Sequence, residues 1–351
     1  MELKLSELQE EILQKKDNKI VVMASAASGK TALLTEKVRQ ILRDGVDPTK
    51  IAVITFTNMA AEELRKRLGE DYRNGIFIGT IHALANYFLV SNGIDTSKYL
   101  KEENFDKLFP MVEKNPSCIK EMEYLLLDEA QDSGNLEFHF MFNMINPKKF
   151  FVCGDLKQSI YGFKGAEPAL FLNLSERPDV ATYNLNENYR NGYNILAYAK
   201  DIVRPTGLLD TSVSKYPEKG QVLETTYSLE KIRTFVGNYD TPGDWAILTR
   251  TNLMVDTISN FLKKHDIPVD TFKQGNLTKE QLTKKMQENT VKVLTVHSAK
   301  GLEWKDVCVV GMRVYPAEER NVCYVAATRA KEKLVWMKGQ KKRKVRTYNW
   351  E

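Results

Sequence analysis

From residue 20 onward the chain alternates short β-branched apolar runs with segments whose apolar residues recur every three or four positions. KIVVMA precedes a helical pattern over Lys30–Arg43, IAVITF one over Thr57–Leu68, and YLLLDE one over Leu136–Ile145, with KFFVCG after it. Strands this uniformly apolar are buried on both faces, which predicts βαβ units and a parallel sheet covered by helices. A second series repeats the theme: QVLETTY, DWAILTR with a helix over Leu253–Lys264, VKVLTVH, KDVCVVG, a helix over Glu318–Ala330, and EKLVWM. The polar, proline-bearing stretch Ser175–Thr182 is the expected seam. The pattern therefore predicts two tandem α/β units, residues 1–182 and 183–351, with a small insertion at 86–122 projecting from the first core and a short polar connector at 275–290 in the second.

Composition narrows the class without naming a function. Apolar residues make up 42% and charged ones 28%, the balance of a folded globular protein rather than a disordered one. No apolar run approaches the roughly 18 residues of a membrane span and the N-terminus is charged, so neither a membrane segment nor a signal peptide is expected. The four cysteines are far apart and share no metal-ligand spacing with the histidines, which predicts reduced thiols, no structural zinc and a cytosol-like compartment. A net charge of +5 permits nucleic-acid binding but does not argue for it.

The candidate chemistry sits at strand ends. ASAASGKT, Ala24–Thr31, stands between the first strand and its helix. Backbone N–H groups there, from Ala26 through Gly29, can cradle phosphates, while Lys30 reaches the β- and γ-phosphates and the Thr31 hydroxyl serves a magnesium ion. Ala24 holds the position of the first glycine in the strict phosphate-loop pattern, so this string alone is only moderately specific. LLLDEAQD, Leu125–Asp132, then places Asp128 and Glu129 at the tip of an apolar strand. Adjacent carboxylates there can hold Mg2+ and orient an attacking water; two surface acids capping the next helix are the alternative.

These strings belong to an ordered set: Leu8-Gln9, ASAASGKT, ITFTNMAAEELRKRL, GTIHALA, LLLDEAQD, VCGDLKQSIYGFKGAE, LNENYRN, VLTVHSAKGLEW and ERNVCYVAATRAKEKL. In this order they resemble the superfamily 1 DNA helicases of the UvrD/Rep type, over nearly the whole of both units. The resemblance implies two RecA-like cores, ATP and Mg2+ as cofactors, and single-stranded DNA as the track. It implies that Gln9 presents its amide to adenine and Tyr189 stacks on it, and that Glu303 contacts the ribose or phosphates. It also implies that Gln158 senses the γ-phosphate and that Arg190 and Arg329 act on it from the second core. Salt bridges within that core are the other reading of the two arginines. On the DNA side, the resemblance points to Phe56, Thr57, His82, Tyr161, Phe163 and Lys164 in the first half and to Thr295 and His297 in the second, since single strands are gripped by stacking and backbone contacts. Without the family, Phe56 and Phe163 would read as core aromatics.

Several positions depart from the family. Ala27 stands where its loop usually has glycine, which alanine can replace if φ there is negative. Ala32 replaces an arginine that flanks adenine in many relatives, and Phe163 replaces the usual tryptophan. The spacings are also short: only residues 86–124 lie between GTIHALA and LLLDEAQD, and Val293 follows Arg190 by 103 positions, where the family commonly inserts whole domains. No nuclease domain is expected after Arg329.

The expected function is an ATP-dependent translocase or helicase moving 3′ to 5′ on single-stranded DNA, unwinding duplex or displacing bound proteins in repair, replication or recombination. A weakly hydrolysing DNA-binding subunit of a larger recombination or nuclease complex is the alternative. Expected partners are single-stranded DNA and its junctions with duplex, and a protein partner or a second copy for processive unwinding. No membrane is involved. The setting is the cytoplasm of a bacterial or virus-infected cell. The terminal KKRKVR resembles a nuclear localisation signal but serves equally as a phosphate-contacting tail, and both readings stay open.

Overall fold

The computed structural model describes residues 5–69, 75–237, 241–272, 277–313 and 317–339. The backbone divides into two compact units: residues 1–189 with 210–213, and 190–209 with 214–351. The basic tail lies outside the described residues.

Among the described residues the first unit holds β1 (Lys19–Ala24), β2 (Ile51–Ile54), β3 (Phe77–Gly79), β4 (Tyr124–Leu127), β5 (Lys149–Gly154) and β6 (Ala181–Leu185). They form one parallel sheet in the order β3-β2-β4-β5-β1-β6. Its faces are filled by Val, Ile, Leu and Phe against the helices Lys30–Arg43 and Ile81–Ser91. The order sets β4, β5 and β1 side by side at the centre, so the loops that leave their C-terminal ends converge. In parallel α/β sheets that edge is where ligands bind.

The second unit holds β7 (Gln221–Thr226), β8 (Trp245–Thr249), β9 (Val269–Asp270), β10 (Val291–Thr295), β11 (Trp304–Val310) and β12 (Ala330–Lys338). Among the described residues they too form a parallel sheet, in the order β9-β10-β8-β11-β12-β7. Two tandem parallel-sheet cores, the predicted architecture, are thus present.

The finer organisation differs from expectation in two places. The seam does not fall at Ser175–Thr182, because Ala181–Leu185 is a strand paired with β1, from Ile20↔Ala181 to Ala24↔Leu185. Residues 86–122 do not project from the core. Phe88, Leu89, Leu108, Phe109, Val112, Cys118 and Met122 are buried in the same apolar cluster as Val21, Ala52 and Leu125, so this segment covers one sheet face. The stretch 275–290 contains the helix Lys279–Gln287, started by a capping box between Thr278 and Gln281. Lys285 ties that helix to β9 through Asp270 at 2.8 Å. All four cysteines are buried and unpaired.

Candidate active site

The chain leaves β1 into a loop anchored by backbone and side-chain bonds to the end of β6 and the segment after it. Ser25 N–H donates to Leu185 O at 2.9 Å, Asn188 Nδ2 to Ala26 O at 2.9 Å, and Tyr189 N–H to Ala27 O at 3.1 Å. Gly29 caps the following helix in the left-handed conformation, φ 81°, which glycine adopts without cost. The free N–H groups and positive dipole end of that helix make this an anion site. Buried Ser28 Oγ has no hydrogen-bond partner among the described residues. A buried donor left unmet in a phosphate loop is a group a bound ligand would satisfy.

Lys30 and Thr31 emerge from the first helical turn toward the tip of β4. Thr31 Oγ1 donates to Asp128 Oδ2 at 3.2 Å, and Lys30 Nζ lies 3.6 Å from Glu129 Oε1. Burial pushes the Lys30 ammonium toward neutrality, but Glu129, Asp155 and Asp128 outweigh it and hold the group above its usual range. Burial and then the neighbouring Glu129 push the Asp128 carboxyl up to about 6 against the opposing pull of Lys30. The hydroxyl and carboxylate of Thr31 and Asp128 are the hard oxygen pair that Mg2+ takes beside substrate phosphates, so these residues fit the ion. Glu129 itself is left-handed, φ 55°, a strained setting for a residue other than glycine that concentrates at functional sites.

Four buried residues complete this edge of the sheet. Gln158 Nε2 donates to Asp155 Oδ2 at 2.8 Å, and Lys157 Nζ meets Asp155 Oδ1 at 3.1 Å. Asp155 N–H donates to Gln131 Oε1 at 2.9 Å, and Gln131 Nε2 donates to Glu129 Oε2. Gln158 was anticipated, whereas Gln131, Asp155 and Lys157 were not. Their only sequence signal is their place within DEAQD and GDLKQ.

One expectation changes at the loop. Ala27 has φ 54°, not the negative angle at which alanine replaces glycine without strain. Gln9 has one oxygen lone pair and one N–H of its amide engaged within the chain. It occupies the third position of the helix Glu7–Gln14, where Oε1 accepts from Ser6 N–H at 3.0 Å in a capping box and Nε2 donates to Ser28 O at 3.0 Å. Tyr189 is partly exposed and its hydroxyl donates to Glu187 at 2.8 Å.

Further along the same edge lies an aromatic group. Phe56 and Tyr161 stack with centroids 4.9 Å apart and planes at 22°, Phe163 follows 6.1 Å from Tyr161, and Lys164 Nζ sits 5.2 Å over the Tyr161 ring. Phe163 is 71% exposed, so it is not the core aromatic its composition alone suggests. Phe56, Thr57, His82, Lys164, Asp128 and Glu129 share the lining of one cavity of about 520 Å³. His82 Nε2 pairs with Asp106 at 3.0 Å, and its ring lies against Phe109.

In the second unit, Arg190 Nε donates to Glu303 Oε2, and Lys331 Nζ meets Glu303 Oε1 at 2.8 Å. Arg329 is buried, with Nε donating to Val325 O at 3.0 Å and Nη1 to Leu302 O at 3.2 Å. Thr295 caps the one-turn helix Val296–Ala299, which carries His297.

A parallel sheet with a phosphate loop after β1 and an Asp-Glu pair after β4 defines a phosphate-loop ATPase core. The chain belongs to the UvrD/Rep-type superfamily 1 helicases, which are ATP-dependent DNA helicases. The UvrD/REP helicase N-terminal domain matches residues 5–116 and 111–179, and the UvrD-like helicase C-terminal domain matches residues 273–341. The chain is 25% identical to Gabija protein GajB of Bacillus cereus (strain VD045), over 92% of this chain and 93% of that one. It is 26% identical to the ATP-dependent DNA helicase PcrA of Leuconostoc citreum over 74% of this chain and 48% of PcrA. With DNA helicase II of Escherichia coli (strain K12) it shares 21% over 75% of this chain and 51% of the other. The chain thus spans about half the length of the PcrA and helicase II relatives. No helix among the described residues is long and apolar enough to cross a membrane. The nuclear reading of the tail gains no support from these bacterial relatives.

Proposed function

We propose that this chain is an ATP-driven motor that moves 3′ to 5′ along single-stranded DNA in the bacterial cytoplasm and separates duplex or displaces bound proteins. The observation that carries the reading is the convergence of Lys30, Thr31, Asp128 and Glu129 at one phosphate loop.

Lys30 and the loop N–H groups from Ala26 to Gly29 hold the ATP phosphates, with Ser28 Oγ available to them. Thr31 and Asp128 hold Mg2+, which when bound supplies charge neutralisation at the phosphates. Glu129 accepts a hydrogen bond from the attacking water and orients it. Gln158 reports the γ-phosphate, and Arg190 and Arg329 supply positive charge to the transferring group. Gln9, Tyr189 and Glu303 serve the nucleoside side. Gln9 keeps a second N–H and a second oxygen lone pair for this beside the bonds it makes within the chain. Phe56, Thr57, His82, Tyr161, Phe163 and Lys164, with Thr295 and His297, form the DNA track, bases stacking on the rings and phosphates meeting the lysine.

A second reading, a weakly hydrolysing DNA-binding subunit of a larger recombination or nuclease complex, is favoured by the short motif spacing and by the strained Ala27. Steady-state ATPase of the purified chain separates the two. The motor requires hydrolysis that rises at least tenfold with single-stranded DNA, while a rate that is low and indifferent to DNA favours the subunit.

A further inference from the structure

Gln131 is fully buried, and among the described residues its side chain bonds to Glu129 and not to Lys30 or Thr31 of the phosphate loop. Its amide is fixed at both ends. Asp155 N–H donates to Oε1 at 2.9 Å, and because a backbone N–H cannot accept, the oxygen must face Asp155 and Nε2 must face Glu129. Nε2 donates to Glu129 Oε2, the oxygen opposite the one that faces Lys30. Ser159 Oγ donates to the Gln131 backbone oxygen at 3.2 Å, so the main chain is held as well. Gly154 leaves room for this arrangement: a Cβ there would come within 2.8 Å of Gln131 Oε1.

We propose that Gln131 is a positioning residue that locks the Glu129 carboxylate for its water-orienting role and ties it to the Asp155–Gln158 loop. Glu129 sits on a strained left-handed residue and faces Lys30, a group that turns to phosphate when nucleotide binds. A second, neutral donor bound to a rigid backbone keeps the carboxylate in place through that exchange. The other end of the same amide reads the position of Asp155, whose Oδ2 is held by Gln158. Motion of the phosphate-sensing loop therefore reaches the water-orienting carboxylate through one side chain. Misplacement of a catalytic group by about 1 Å costs on the order of 100-fold in rate.

The inference rests on the proposed ATP hydrolysis, and the test separates the two. Gln131→Met keeps the volume and removes the amide, while Gln131→Glu keeps the acceptor for Asp155 N–H and turns an oxygen toward Glu129. Each is expected to lower kcat of DNA-stimulated ATPase by roughly 10- to 100-fold, with KM for ATP, affinity for a non-hydrolysable ATP analogue and single-strand affinity within about twofold. Single-turnover rates then show whether Gln131 acts through Glu129: in a Glu129→Gln background, Gln131→Met should remove no more than a further twofold. Full additivity there, or either variant at wild-type kcat, overturns the assignment. Should Gln131→Met fail to fold, Gln131→Glu alone decides by the same kcat and KM values. A wild-type chain without ATPase overturns the proposed function instead.

Discussion

Arg190 and Glu303, 113 positions apart in the chain, meet in the second unit as an ion pair that Lys331 shares. Burial works against the Glu303 charge, but Arg190 and Lys331 outweigh it and hold the carboxyl down at about 2. A depressed carboxyl adds stability that is complete above its unfolded value of about 4.3 and is lost as pH falls toward the folded one. With the side chain 41% exposed, screening limits the contribution to about 1 kcal/mol. Glu303→Gln should therefore flatten the loss of thermal stability between about pH 4.5 and pH 2.5, and should lower ATPase severalfold because Arg190 loses its charged partner while keeping its bond to Thr328 O. Unchanged acid stability together with unchanged turnover would show that the pair does neither.

Ala27 makes a separate prediction. At φ 54° an L-residue pays about 1–2 kcal/mol, which glycine does not. Ala27→Gly should match or exceed the wild-type ATPase rate, whereas Ala27→Val, branched at Cβ, should lose it. Steady-state kcat with a melting scan of each variant checks this, and a tenfold loss in Ala27→Gly would contradict it.

Lys30→Ala and Glu129→Gln should both cut steady-state hydrolysis by roughly 100-fold or more, by different routes. Lys30 holds phosphate, so its loss should weaken ATP binding at least tenfold. Glu129→Gln removes only the water-orienting charge and should leave binding near wild type. Equilibrium titration with a fluorescent ATP analogue distinguishes them, and equal loss of affinity in both would place Glu129 among the binding groups.

How much of this was legible in the sequence depended on how local the cause was. The phosphate loop and the Asp-Glu pair could be placed because an apolar run followed by polar residues at a strand tip is a short-range signal. The strand Ala181–Leu185 escaped because ATYNL alternates exposed and covered positions at a sheet edge, unlike the uniformly apolar central strands. Residues 86–122 were misread because their buried side chains are spaced over short helices broken by turns, so that their common face is visible only once folded. Gln131 was invisible for a related reason: its partners lie on two different loops, one of them 24 positions away, and nothing in DEAQD says which way its amide points.

The aromatic group should carry much of the DNA affinity of the first unit. Phe56 and Tyr161 already stack on each other, so a base can extend or enter that stack. Phe56→Ala should weaken single-strand binding by roughly 5- to 150-fold, the equivalent of one stacked base. ATP-analogue affinity in the absence of DNA should hardly move. Fluorescence anisotropy with an oligothymidylate gives the comparison, and unaltered binding would return Phe56 to the core.

The most direct measurement follows the chain along DNA itself. Single-stranded oligonucleotides of increasing length carry a fluorophore at the 5′ end or at the 3′ end, and the arrival signal is timed after ATP is added with a trap for free protein. A 3′ to 5′ motor gives a lag that lengthens with oligonucleotide length only for the 5′ label, and Glu129→Gln gives none. A signal without length dependence at either end, from a wild-type chain that binds DNA and ATP, would contradict motor activity. A lag confined to the 3′ label would reverse its direction.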